Sequence, residues 1–271
     1  MKSTFVISAI LGAGVLFSSL VQAAEKFVIG ASSTPHGVIL EHIKPKLAKQ
    51  GVDLQIKIFS DFIQPNVQLV NKNLDGNYYQ YRPFLNDFNA RNKTNLVAVV
   101  PVHIEPFVAY SKKIKSLNEL KNGATVIIPN DPVNGGRGLL LLAKLKLITL
   151  KPGFHQLKKP TDKLPTIKDI ATNPKKLKIK ELESAILPRM LDQVDLAALN
   201  GNYVLEAKLD LKKSLYIERG QDGTNVWAEY LVVRPEDKNK PVVQKIAKAL
   251  NEPDTRQFIL KQFKGEIFPA F

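Results

Sequence analysis

Thr125-Val126-Ile127-Ile128-Pro129-Asn130-Asp131-Pro132-Val133-Asn134-Gly135-Gly136-Arg137-Gly138 runs directly into the leucines 139–142. An apolar, β-branched run meets a proline, a polar turn follows, and a leucine-rich segment begins at helical spacing, so the stretch reads as strand, loop and helix start. The first N–H groups of a helix lack intrahelical partners and the dipole is positive there, which favours an anion. Arg137 adds a planar donor fork that matches a carboxylate, and Gly135, Gly136 and Gly138 would let a ligand approach the backbone. Asn134 in the turn is a further candidate contact. Two readings of Arg137 compete at this level: the clamp of a small carboxylate, or an arginine on a solvated helical turn. The segment matches neither GxxxxGK[ST] nor GxGxxG, so no nucleotide cofactor is expected.

The chain before this stretch alternates strands and helices. Residues 26–31 read as a strand, 38–50 as a helix broken only by Pro45, and 52–59 as a second strand. The cluster Asn77-Tyr78-Tyr79-Gln80-Tyr81-Arg82-Pro83-Phe84 sits at a predicted strand end. Such a cluster reads either as core or as the wall of an apolar pocket with polar pins. Residues 96–102 read as a strand, His103-Ile104-Glu105-Pro106 as a break, and 107–110 as a strand that leads into a short helix capped at Ser116. Beyond the opening stretch, 151–165 reads as a proline- and lysine-rich loop and 166–172 as helix. Residues 177–182 and 194–199 read as strands, Asn200 to Tyr203 as a turn at a strand's carboxyl end, 226–233 as a late strand, and 241–250 and 254–264 as closing helices. Ligands of open α/β sheets bind outside the carboxyl ends of strands, which puts Asn200 beside Arg137.

A length of 271 residues with 44% hydrophobic and 24% charged residues fits one large or two medium α/β domains. Lys2 precedes an uncharged run through Gln22, and small residues flank a cut after Ala23, so residues 1–23 read as a secretory signal peptide. No other stretch approaches the length needed to span a bilayer. The chain contains no cysteine, which excludes disulfides and thiolate chemistry. The net charge of +14 is concentrated between Lys144 and Lys180, where eleven lysines face only Asp162 and Asp169. Phe154 is the sole aromatic there, so a stacking platform for single-stranded nucleic acid is not expected. The stretch reads as a solvated face, or as a patch that docks on anionic phospholipid.

The four histidines, His36, His42, His103 and His155, are far apart in sequence and lack the HExxH spacing, so no metal site is expected. There is no GxSxG elbow either.

Several blocks carry a more specific signal: residues 61–66 (DFIQPN), 111–120 (SKKIKSLNEL), 129–132 (PNDP) with 136–142 (GRGLLLL), 181–189 (ELESAILPR) and 200–203 (NGNY). Through them the chain, from about Gly30 to Val233, resembles the methionine-binding lipoproteins of the NlpA type, solute-binding components of an ABC importer. The resemblance implies an α/β, two-lobed periplasmic binding protein fold of type II that closes over an amino acid. It also implies that Arg137 holds the ligand carboxylate, that Asn200 contacts the head group, and that Tyr78, Tyr79 and the segment at His103 surround the thioether. Three positions depart from the family: Ala24 stands where a lipidated Cys is usual, Tyr81 where a His is usual, and Glu229 where an Asn contacts the ligand's polar head. Glu229 either pairs the ligand ammonium, selects a more cationic ligand, or faces solvent.

These readings together lead to an exported, periplasmic, monomeric solute-binding protein without a lipid anchor or cofactor. Its expected partners are a small amino acid ligand, or a short peptide, and an inner-membrane ABC permease. The expected boundaries are 24–106 plus 226–271 for the first lobe and 107–225 for the second. The alternative is an enzyme on the same two-lobed fold acting on a small carboxylate, with Glu229 or His103 as acid or base.

Overall fold

The computed structural model describes residues 23–218 and 225–271, so the expected signal segment lies outside the described residues except for Ala23. Among the described residues no helix is long and apolar enough to cross a membrane. The chain begins with β1 (Glu25–Ala31), α1 (Val38–Lys49), β2 (Val52–Ile58), α2 (Gln64–Val70), β3 (Gly76–Tyr81), α3 (Arg82–Asn92) and β4 (Val97–Ile104). It continues through β5 (Phe107–Tyr110), β6 (Thr125–Pro129), α4 (Pro132–Lys144), β7 (Thr149–Leu150), β8 (Ile170–Thr172), β9 (Lys178–Leu182), β10 (Leu196–Asn200), α5 (Gly201–Glu206) and β11 (Tyr216–Glu218). It ends with β12 (Ala228–Val233), α6 (Pro241–Leu250), α7 (Pro253–Gln262) and β13 (Phe268–Pro269).

Two sheets result. The first has the order β13-β4-β12-β3-β1-β2 and the second β11-β5-β10-β6-β9, while β7 and β8 form a small separate ribbon. The backbone therefore passes from one sheet to the other twice, once through Glu105-Pro106 and once between β11 and β12. β12 enters the first sheet antiparallel to both β3 and β4, and its register sets Glu229 opposite Tyr81 on one side and His103 on the other. A strand from late in the chain thus brings three distant side chains to one place.

Alternation explains the layers. Val126 and Ile128 of β6 enter one apolar cluster with Leu139, Leu141 and Leu142 of α4, while Ile127 between them enters another with Leu187, Leu191 and Leu199. In the first lobe α1 packs Ile39, Leu40, Ile43 and Leu47 against Val243, Ile246 and Leu250 of α6. Pro45 does not break α1. The missing N–H and the ring clash cost about 3 kcal/mol, but Ile43 and Leu47 on either side are fully buried at roughly 1.5–3 kcal/mol each.

Other local expectations need correction. Residues 166–172 form a single 3-10 turn followed by a short strand, not one helix. The Asp169 carboxylate accepts from Thr166 N and Oγ1 at 3.0 and 2.8 Å, which closes one 3-10 turn (Ile167–Asp169), and Ile170 then pairs with Leu150 across the ribbon. The strand before Pro106 runs on through His103 and Ile104, because both pair with β12 and β13. The late strand starts at Ala228, not Val226, and Asn200 leads into α5. The glycines of the opening stretch serve packing. A Cβ on Gly135 would lie 2.7 Å from Pro129 O, one on Gly136 2.7 Å from Leu164 Cβ, and one on Gly138 3.1 Å from Ile128 Cβ. The N-terminus of α4 is likewise not open to an anion, since Asp131 Oδ1 accepts from Val133 N and Asn134 N at 3.2 and 2.8 Å.

Asp131→Ala should lower stability by about 1 kcal/mol, the usual scale for losing an N-cap, as read from denaturant unfolding. Arg234, just after β12, donates from Nη1 to the carbonyls of Leu69 and Leu74 at 3.0 and 2.6 Å and pairs with Asp237 at 2.6 Å. Arg234→Ala should cost about 1.5–3 kcal/mol. Burial pushes the Asp237 carboxyl up, but the hydrogen bond from Lys240 and the charge of Arg234 outweigh it and hold the group below the usual carboxylate range. Its contribution is fully present above the unfolded-state value, near about pH 3.9, and is lost as pH falls through the lower folded value. The stability gap between wild type and Asp237→Asn should close on the acid side in urea titrations run at a series of pH values.

Candidate functional site

The site lies where the two lobes face each other. Its second-lobe wall begins with Asp131, whose Oδ2 accepts from Asn134 Nδ2 at 2.9 Å. Held this way, Asn134 turns Oδ1 toward two donors, Asn200 Nδ2 at 2.7 Å and the hydroxyl of Tyr81 from the first lobe. One asparagine therefore ties the two lobes. Tyr203 of α5 donates to Ser60 O at 2.9 Å, and the Asn202 backbone N–H donates to Glu105 Oε2 at 2.8 Å, so the lobes are closed on each other. Gly201 permits this approach, because a Cβ there would meet Pro106 O at 2.7 Å.

Arg137 projects from the second turn of α4 and is 2% exposed. Its Nε donates to Glu218 Oε1 at 3.0 Å, and Nη2 lies 2.9 Å from the same oxygen but off the hydrogen-bond line, leaving Nη2 unsatisfied. Trp227, Phe107 and Tyr81 surround the guanidinium, with their ring centroids 4.1, 4.7 and 5.6 Å away. Burial alone would weaken the arginine's hold on its proton; the Glu218 carboxylate outweighs that and raises it. The solvated-surface reading of Arg137 is therefore excluded.

The cleft between the walls is lined by Phe62, Tyr79, Tyr81 and Phe84 on its aromatic side and by Glu105, Asn134, Arg137, Asn200, Asn202 and Glu229 among its polar groups. Phe62 stands 4.9 Å from Tyr203 and 6.1 Å from Phe84 between ring centroids, so the aromatic side is continuous across both lobes. Four buried polar atoms at the cleft lack a hydrogen-bond partner: Arg137 Nη2 and Asn202 Nδ2 are donors, Asn200 Oδ1 and Glu229 Oε2 are acceptors. Burial, with repulsion from Glu105, holds the Glu229 carboxyl well above the usual range, while Arg137 acts in the opposite direction.

Of the residues expected from sequence, Tyr79, Tyr81, Asn134, Arg137, Asn200 and Glu229 meet at this cleft. Tyr78 and His103 do not line it, which corrects the expectation that both face the ligand. Tyr78 and Tyr79 are consecutive on a strand and point to opposite faces. Tyr78 is fully buried behind the cleft, with its hydroxyl bonded to His103 Nδ1. His103 Nε2 bonds Glu105 Oε1 at 3.1 Å, and the ring of His36 lies 4.8 Å from that of His103, although 67 positions separate them in the chain. Burial lowers both histidines below their ordinary value; for His36 the Glu105 carboxylate partly offsets this, and for His103 the neighbouring His36 adds to it.

Sequence reasoning named Phe84 only within the aromatic cluster and missed Phe62, Glu105, Asn202, Glu218 and Trp227 as parts of the site. Phe84 belonged to the quoted aromatic cluster, Phe62 to the DFIQPN block, and Trp227 is the chain's single tryptophan, two residues from Glu229. Glu218 lies in a three-residue strand without any local signal.

The model of the NlpA lipoprotein family matches residues 27–271. The D-methionine-binding lipoprotein MetQ of Escherichia coli (strain K12) is 38% identical over 220 residues, covering 80% of this chain and 78% of that protein. Lipoprotein 28 of the same strain is 37% identical over 272 residues, 97% of this chain and 96% of that one. Among solved structures, a nutrient binding protein from Burkholderia cenocepacia bound to methionine superimposes with a TM-score of 0.84 at 37% identity, covering 90% of this chain and all of the other. The substrate binding protein of a methionine transporter from Streptococcus pneumoniae gives 0.82 at 29% identity, covering 91% and 96%. Two α/β lobes joined by two crossings, closed over a cleft with a buried arginine, thus occur in a chain that belongs to the NlpA lipoprotein family and has its two-lobed periplasmic binding fold.

Proposed function

We propose that the protein is an extracytoplasmic solute-binding component of an ABC importer that carries methionine or a closely related small amino acid or short peptide. The observation that carries this reading is the pairing of unsatisfied donors and acceptors across one small cleft. A zwitterion needs both: Arg137 and Asn202 Nδ2 suit its carboxylate, while Asn200 Oδ1 and Glu229 suit its ammonium. The rings of Phe62, Tyr79, Tyr81 and Phe84 then receive an apolar, polarisable side chain. Relatives whose names state methionine binding support the same cargo.

The lobes we assign are 24–106 plus 226–271 and 107–225, working as a monomer. Closure over the ligand selects one state of an open and closed equilibrium, and an inner-membrane permease reads that state. Ala24 stands where the family usually carries a lipidated Cys, and we assign the protein to the periplasm without an anchor. Its role is carriage, not turnover.

A ligand that binds only the folded state stabilises it by about 2.7 kcal/mol at a hundredfold excess over Kd, so a thermal-shift panel on refolded, ligand-stripped protein tests the cargo. L- or D-methionine should raise Tm more than other amino acids, methionyl dipeptides or basic amines; a panel without any shift would sink the carrier reading. Arg137→Ala should weaken binding by at least about 2 kcal/mol in calorimetry, and Arg137→Lys, which keeps charge but loses the fork, should also weaken it. Wild-type affinity in both would remove Arg137 from the carboxylate role. Glu229→Asn should retain methionine binding, since an amide oxygen can still accept from the ammonium.

A further inference from the structure

Beneath the cleft floor His36 and His103 present donors that amino acid binding does not use, beside Glu105 and Glu229 of the cleft wall. His36 Nε2 is buried, has no hydrogen-bond partner, and faces Glu105 Oε1 at 3.5 Å and Glu229 Oε2 at 3.8 Å. His103 Nε2 stands 3.1 Å from the same Glu105 oxygen. One ligand atom each from His36, His103 and Glu105 fall within 4.8 Å of one another. Glu229 Oε2 is also buried and unpartnered. Around a tetrahedral zinc with bonds of about 2.0–2.1 Å, neighbouring donor atoms are roughly 3.4 Å apart. The separations of 3.5, 3.8 and 3.1 Å bracket that value, and the His36, His103 and Glu105 atoms, which span up to 4.8 Å as a set, must draw together around an ion.

The other nitrogen of each ring is already held. His36 Nδ1 bonds Ser32 Oγ at 2.9 Å, and His103 Nδ1 bonds the hydroxyl of Tyr78. An outer oxygen on Nδ1 is how proteins orient a metal-ligating imidazole and fix its tautomer. Glu105 is itself positioned by the backbone N–H of Asn202 on its second oxygen. Two buried carboxylates close together repel each other, and a divalent cation between them would give a neutral centre.

We propose that His36, His103, Glu105 and Glu229 form a binding site for a divalent transition metal ion of the zinc type, lying directly under the amino acid cleft. The donor set of two imidazoles and two carboxylates suits Zn2+ better than Ca2+ or Mg2+, which take oxygen-only shells. With the ion bound, Nδ1–H of His36 donates to Ser32 Oγ and Nδ1–H of His103 to Tyr78 Oη, leaving both Nε2 lone pairs for the metal. Glu105 and Glu229 also line the cleft, so an ion reaches the site when the lobes open. Glu229, the fourth ligand, is the part of the set contributed by the position at which this chain departs from the asparagine noted above.

The test uses full-length chelator-treated protein and the metal alone. Titration with Co2+ should give one equivalent of bound metal with the intense visible bands of a tetrahedral centre, and Zn2+ should displace it. Glu229→Asn should weaken binding at least about tenfold, and His36→Asn combined with Glu229→Asn should abolish the bands while far-UV circular dichroism stays native. Absence of Co2+ bands together with absence of calorimetric Zn2+ binding in the wild type would overturn the proposal, as would unchanged binding in the double variant. Methionine binding is measured separately in excess chelator, so a failed carrier reading and a failed metal site give different results.

Discussion

The guanidinium of Arg137 has been taken out of water, and much of the molecule answers to that fact. A buried cation without a counter-charge costs several kcal/mol, so an anion must always be beside it. In the closed chain Glu218 fills that place from a short strand of the same lobe, and three rings close the remaining sides. The pairing uses one carboxylate oxygen and leaves unsatisfied atoms on both partners. Glu218 therefore keeps the arginine charged and aimed without consuming its whole donor capacity. In the carboxylate role proposed for it, the arginine is thereby preorganised, which limits the ordering cost left for the ligand to bear.

The insertion of β12 is the second organising feature. As an antiparallel strand between β3 and β4, it converts three positions far apart in sequence into neighbours: Tyr81, His103 and Glu229. The same strand borders both the cleft and the buried cluster beneath it. A change of one residue in its register would move Glu229 to the other face and dismantle both.

Much of this was legible in the sequence. Strand and helix alternation and the opening strand, loop and helix follow from periodicity and turn chemistry, and six of the eight candidate residues named with the help of the family resemblance line one cleft. The exceptions have physical causes. Pro45 stays helical because burial on both sides outweighs its cost, and residues 166–172 fail to become a helix because Ile170 turns extended after one 3-10 turn to pair with Leu150. The expectation that the glycines of the opening stretch admit a ligand rested on their lack of a Cβ, which is correct, but strand β6 and the loop at Leu164 occupy that space. Spacing along the chain made the histidines look isolated, whereas proximity between His36 and His103 is created by sheet order. No local pattern reports a contact between strands that meet only after the chain has crossed to another lobe and returned.

That double crossing also bears on the order in which the chain can fold. The second sheet is built wholly from residues between 107 and 218, so all of its strands are available as soon as that interval has been synthesised. The first sheet must wait, because β12 sits between β3 and β4 and is made last but one among its strands. Until then β4 lacks both of its sheet neighbours and β3 is paired only with β1, leaving edges that expose tyrosines and valines, the kind of surface that associates with other chains. A chain built in this order completes its inserted lobe first and its sequence-discontinuous one last. The cleft, which needs both, is the last part of the molecule to exist.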